Sequence, residues 1–170
     1  MTDAVDPTER TRTYSWVDPM PTALAARATN GLEFLGRIVS GELPQPPIAY
    51  TLGFDLVEVG EGRAVFAVTP EEWHYNPIGV VHGGLAATVL DSALGCAIHT
   101  MLPVGSGYTT VELSVNMVRP VSSTTGHLRA VAHVIHVGGR VATSEARLLD
   151  DNDKLYAHAN ATCLILQSVP

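Results

Sequence analysis

The sequence is poor in charge, in aromatic rings and in cysteine: charged residues make up 16% of its 170 positions, aromatic residues 6%, and only two cysteines are present. Each shortage excludes something. Ten Lys and Arg against 17 Asp and Glu leave a net charge of -7, so no basic surface is expected for a nucleic-acid backbone. Cys96 and Cys163 fall in apolar stretches without metal-like spacing, which excludes a disulfide framework and predicts two free, buried thiols. No apolar run is long enough to cross a bilayer, and the polar start from Met1 to Arg12 lacks the charged-then-apolar pattern of a secretory leader. A soluble, cytoplasmic protein with no membrane partner is expected. Gly-x-Ser-x-Gly, Walker and His-Glu-x-x-His motifs are missing. His133 and His136, three apart on one strand, are expected to face opposite ways and so not to grip a metal together.

What is abundant is apolar surface, 46% of the chain, enough for one core at this length. Residues 1–47 read as an N-terminal tail and a peripheral helix, and residues 48–170 as the main domain. The first 20 residues have no periodicity and suggest a mobile tail or extended arm. Thr22 is placed to cap a helix carrying Leu24, Ala28, Leu32, Leu35 and Val39, ended by Gly41 and the prolines after it. Phe54 to Val59 and Arg63 to Val68 flank Gly60-Glu61-Gly62 as a hairpin. A loop from Thr69 to Val81 then gathers Trp73, His74, Tyr75, Asn76 and Gly79. From His82 to about Met101 the chain is apolar on nearly every side, which predicts a buried helix with a sheet wrapped around it. The strand that follows alternates, with Val111, Leu113, Val115 and Met117 expected toward the helix and Thr110, Glu112, Ser114 and Asn116 away from it. Leu128 to Val137 and Val141 to Leu149 flank Gly138-Gly139 as a second hairpin, and a last strand runs from Leu155 to Leu166. The class is α+β, an antiparallel sheet around a long helix.

Asp91 is the most informative residue. A carboxylate in an otherwise apolar helix costs several kcal/mol if buried, unless it is paired or used. Either the helix has one wet edge there or the acid does chemistry. At the start of the same helix, Gly79-Val80-Val81-His82-Gly83-Gly84 leaves backbone N–H groups pointing outward, a seat for an anion or a developing oxyanion, or else an ordinary capped helix entry. Asp91 lies nine positions beyond His82, about 13 Å along the axis at helical rise. One chain cannot aim both at one atom. If they share a substrate, the acid comes from a second copy whose helix runs antiparallel beside the first, giving two equivalent sites in a two-fold dimer.

The run from Asn76 to Gly84, followed by Asp91, then Tyr108 to Asn116 and Arg119-Pro120, closely resembles the PaaI-like branch of the hotdog-fold acyl-CoA thioesterases, over roughly residues 48–166. The resemblance implies a helix wrapped by an antiparallel sheet, a homodimer with a continuous sheet, and a homotetramer as a dimer of dimers. It implies hydrolysis of an acyl-CoA thioester, with Asp91 as general base or nucleophile and Gly83 N–H polarising the carbonyl. Asn76 would position substrate or water, and His82 would orient the loop or donate near the carbonyl. Thr110 stands where some relatives carry an assisting serine. Gly84 and Gly139 would lie against substrate, with Arg119 or Arg140 meeting CoA phosphates. Neither metal nor cofactor is expected, CoA being part of the substrate. Two rivals share these residues: an enoyl-CoA hydratase or dehydratase using His82 and Asp91, and a non-catalytic acyl-CoA binding module.

Overall fold

The computed structural model describes residues 8–167, so part of the expected N-terminal arm, residues 1–7, lies outside the described residues. Residues 8–19 form neither helix nor strand. They are nonetheless anchored, because the Arg12 guanidinium donates to the carbonyls of Tyr50 and Thr51 at 2.9 and 2.5 Å and lies over the rings of Tyr14 and Trp73.

The single helix expected from Thr22 is two. Helix α1 spans Met20–Ala28 and α2 spans Gly31–Val39, with the break at Thr29-Asn30. Asn30 competes successfully for the cap: its side chain accepts from Glu33 N–H at 2.9 Å, a stronger start signal than Thr22 can supply inside a turn already formed. Helix α2 is also not peripheral. Its strongly one-sided apolar face buries Phe34, Leu35 and Ile38 in the main core. A short helix α3, Pro47–Leu52, ends on Gly53 with φ +69° and was not foreseen.

Beyond it come β1 (Phe54–Gly60), β2 (Arg63–Val68), a 3-10 turn at Glu72–His74, the long helix α4 (Gly83–His99), and strands β3 (Ser106–Met117), β4 (Leu128–Val137), β5 (Val141–Asp150) and β6 (Leu155–Gln167). The strands form one antiparallel sheet in the order β1-β2-β4-β5-β6-β3. Helix α4 lies in its concave face with Val89, Leu90, Ala93, Leu94 and Ala97 fully buried. The strand positions beneath it are small, Ala130, Ala132, Ala146, Ala157, Ala159 and Ala161, which lets the helix settle close to the sheet. The buried Ser144 hydroxyl donates to the Leu94 carbonyl at 3.2 Å, so the polar group is satisfied.

Two bulges overturn expectations about faces. In β3 the register shifts between Thr110 and Glu112, leaving Val111 as the extra residue. Strict alternation placed Val111 inside and Thr110 outside; one added residue reverses the phase, so Thr110 turns to the helix and Val111 is 60% exposed. Past the bulge Leu113, Val115 and Met117 pair with the buried Ala161, Ala159 and Ala157 and keep the expected inner face. In β4 the shift falls between Val134 and His136. His133 and His136, paired with Glu145 and Thr143, therefore share the outer face rather than opposing one another. Among the described residues no group of three or more His, Cys, Asp or Glu is placed to hold a metal.

Candidate active site

The loop before α4 is built to hold an amide. His74 is buried in it; its Nδ1 accepts from Glu71 N–H at 2.9 Å, which leaves Nε2–H to donate to the Leu52 carbonyl at 2.8 Å. Burial depresses the His74 pKa below its ordinary 6.5, so the ring is neutral as these bonds require. The His74 carbonyl in turn accepts from His82 N–H at 2.7 Å. Between them, the Asn76 side-chain oxygen accepts from Ile78 and Val80 N–H at 3.0 and 3.3 Å, and Gly79 turns the chain at φ +83°. With Oδ1 occupied twice, the Asn76 amine is the group left to donate outward.

The two glycines of the helix entry have different tasks. His82 is the N-cap of α4, its Nδ1 accepting from Gly84 N–H at 2.8 Å. A Cβ on Gly84 would sit 2.8 Å from that imidazole nitrogen, so Gly84 makes room for the cap. Gly83 N–H takes no partner among the described residues, one of the orphan donors that every helix start leaves. A Cβ on Gly83 would meet the Met117 thioether at 2.5 Å. Met117 thus lies over the open amide, a neighbour that sequence reading placed on the inner face of β3 but did not connect to Gly83.

Asn76, His82, Gly83 and Arg119 line one cavity of about 360 Å³ together with Ala86, Met117, Tyr156 and neighbouring residues of Val80–Val81 and Val118–Val121. Among the described residues no carboxylate lines it. Arg119 is tied to the Leu155 carbonyl at its wall. Tyr156 carried no recognisable signal, lying as it does in a plain strand run.

Asp91 and Thr110 are elsewhere. They are not among the residues lining that cavity; the Thr110 hydroxyl donates to Asp91 Oδ1 at 3.0 Å, two turns further along α4, where Asp91 is half-buried. The Cys163 thiol donates to the same hydroxyl at 3.9 Å. Tyr108 covers the next turn, its ring filling the space that Gly95 leaves, and burial beside Cys96 and Asp91 pushes its phenol well above the ordinary value. Cys163 is buried as expected, whereas Cys96 is partly exposed; its apolar surroundings push its thiol up to about 12, the behaviour of an inert structural cysteine. Gly139 and Arg140 sit in the β4–β5 turn and do not line the Gly83 cavity; the Arg140 carbonyl accepts from Ile165 N–H at 2.9 Å.

An antiparallel sheet curled around one long helix is the hotdog architecture, and here an unpartnered amide lies at the helix start and an acid on the helix flank. Residues 78–157 match the model of the Thioesterase superfamily. The structure is similar to that of a phenylacetic acid degradation-related protein of Ralstonia eutropha JMP134, with 30% identity, a TM-score of 0.68 and coverage of 76% of this chain and 98% of that one. A 1,4-dihydroxy-2-naphthoyl-CoA hydrolase of Listeria monocytogenes is 25% identical over 115 residues, 68% of this chain and 92% of the relative. A Halobacterium salinarum protein with an esterase name is 39% identical over 77 residues, 44% of this chain and 49% of the relative, so the match spans about half that protein's length. The chain belongs to the thioesterase superfamily, the class of thioester hydrolases, and its fold is the PaaI-like hotdog.

Proposed function

We propose that the protein hydrolyses an acyl-CoA thioester to free acid and CoA at a site shared by two copies of the chain. The observation that carries this reading is a separation. Within one protomer, the open Gly83 amide and Asp91 stand eight residues apart on α4, about 12 Å at helical rise. Two copies packed with α4 antiparallel bring each acid to the other's helix start. The exposed edge of the sheet supports that packing. Among the described residues strand β3 has only β6 beside it; Leu113 and Met117 on it are 36% and 50% exposed, and Val118 just past its end 47%.

In this geometry the thioester carbonyl accepts from Gly83 N–H, where the helix dipole favours the developing negative charge. Asp91 of the other copy either removes a proton from the attacking water or attacks the carbonyl carbon itself, giving an acyl anhydride that water then hydrolyses to free acid with Asp91 regenerated. Thr110 holds the carboxylate by one oxygen and leaves the second to react. The Asn76 amine steadies the water or the carbonyl, and CoA leaves as the thiolate. His82 acts by position, capping the helix through Nδ1 and leaving Gly83 as the available donor. The Listeria relative's name, a hydrolase of an aromatic acyl-CoA, supports the substrate class. Gly139 and Arg140 belong to the reading as substrate contacts through the second copy.

A mixed dimer tests the shared site. Asp91→Ala and Gly83→Val, assayed singly for thiol release from a panel of acyl-CoAs, should each lose turnover by roughly 10²–10³-fold, the effect typical of removing one oxyanion donor or more. Co-expressed, they form heterodimers that contain one intact site, and activity should return to a substantial fraction of the parent's. Continued silence of the mixture, with heterodimers present by mass, would show that both groups act within one chain. Loss of enoyl absorbance from crotonyl-CoA without free thiol would instead identify a hydratase.

A further inference from the structure

Ten cationic side chains are outnumbered by 17 acids, and seven of the ten are occupied. Arg10, Arg37, Arg63 and Arg129 are paired with Glu72, Glu42, Glu58 and Asp153. Arg12 is held by the α3 carbonyls, Arg119 by the Leu155 carbonyl, and Lys154 lies over the Tyr156 ring. Arg27, Arg140 and Arg147 have no such partner among the described residues. In so acidic a chain, a cation without a carboxylate beside it stands out.

Arg27, in the last turn of α1, lines a groove of about 530 Å³ between that helix and the start of β3. The groove wall also holds His99, Ser106, Tyr108, Gln167 and the backbone at Gly105 and Gly107, with no carboxylate among the described residues. Burial depresses the His99 pKa, so the cation here is Arg27. Tyr108 joins this groove to the Asp91–Thr110 pair, and Ser106 lies four residues from Thr110, about 13 Å along an extended strand. That distance is within reach of an extended pantetheine arm. The β4–β5 turn opens at the same end, since Arg140 bonds Ile165 and Gln167 pairs with Ser106. In an antiparallel pairing of two β3 strands, the Ser106 end of one lies toward the Met117 end of the other, and Met117 lines the cavity that contains Gly83.

We propose that Arg27 binds the phosphates of the CoA moiety, a contribution of the N-terminal segment to the substrate site that rests on the acyl-CoA reading above. A guanidinium meets phosphate oxygens with paired, charge-assisted hydrogen bonds, and a carboxylate-free wall avoids repelling them. Binding of CoA and of pantetheine, which lacks the phosphates, is measured by calorimetry on the full chain. Arg27→Glu and Arg27→Gln should weaken CoA binding by about ten-fold or more while pantetheine binding is unaltered, and Arg27→Lys should restore part of the loss. Unchanged CoA affinity in both variants overturns the assignment, as does an equal loss for CoA and pantetheine, which would mark a structural role. A parent chain that binds no CoA overturns it together with the acyl-CoA reading. Thiol release separates the two claims. If CoA binds through Arg27 but no thioester is cleaved, the hydrolase reading fails alone. If thioesters are cleaved and the ratio of kcat/KM for CoA over pantetheine thioesters is the same in Arg27→Gln and parent, the Arg27 assignment fails alone.

Discussion

The two ends of α4 are finished in opposite ways. At the C-terminal end the backbone groups are tied into the fold and α2 packs directly against the helix end. Thr100 accepts from Gly62 N–H at 2.9 Å and donates to the Ala97 carbonyl at 2.7 Å; Gly31 N–H donates to the Leu102 carbonyl at 3.1 Å. The first residue of α2 sits so close that a Cβ on Gly31 would lie 1.7 Å from the His99 carbonyl oxygen. At the N-terminal end one amide is left open under a flexible methionine, beside a cavity. One end uses its hydrogen bonds within the fold, and the other leaves the Gly83 amide without a partner among the described residues.

That contrast can be broken at either end, and the largest effect belongs to the open one. Gly83→Val should abolish most turnover, by roughly 10²–10³-fold, since its side chain and the displaced Met117 block the amide, while the melting temperature moves little. Gly31→Val should do the reverse. A side chain against the His99 backbone cannot be relieved by a rotamer change, so a loss of about 3 kcal/mol in urea unfolding is expected, with kcat per folded molecule retained. Equal stabilities for Gly31→Val and parent would show that the closed end is not under packing constraint.

A smaller effect sharpens the picture between the two ends. Thr110→Val keeps the shape but removes the donor to Asp91, and about a ten-fold fall in kcat is expected, with Thr110→Ser close to the parent. The smallest concerns pH. His74, near the open end, and His99, at the closed one, both have pKa values depressed by burial below the ordinary 6.5. The unfolded chain therefore takes up these protons first. Stability should be intact above pH 6.5 and fall as pH drops from there toward the folded pKa values, by at most about 1.4 kcal/mol per unit for each group. Protonation of His74 also removes the acceptor for Glu71 N–H, so the amides of the Asn76 loop should lose protection, relative to their intrinsic exchange rates, as pH falls through the depressed His74 pKa. A melting temperature that is flat between pH 7.5 and 5 would contradict both assignments.

Much of the fold was legible before any coordinates. Periodicity and turn residues located β1 and β2, the buried α4, the later strands and both hairpins, because those segments obey one local rule from end to end. The failures cluster where one residue changes the count. Neither Val111 nor the shift at His136 announces a bulge in the sequence, since a bulge is decided by which partner strand the chain must match. Thr110 was singled out only through family resemblance, against an alternation that put it on the wrong face. Asn30 was a readable cap, but continuous apolar spacing from Leu24 to Val39 concealed it.

By itself the sequence determined the α+β class, the helix that enters on His82-Gly83-Gly84, and Asp91 as the acid without an apolar excuse. These are local facts of residue type and spacing. Only the tertiary structure decided that Thr110 would hold Asp91, that Met117 would cover Gly83, and that α1 would bring Arg27 beside the start of β3. Each of those contacts joins segments far apart in the chain, and their meeting depends on how strands register and helices pack around one core.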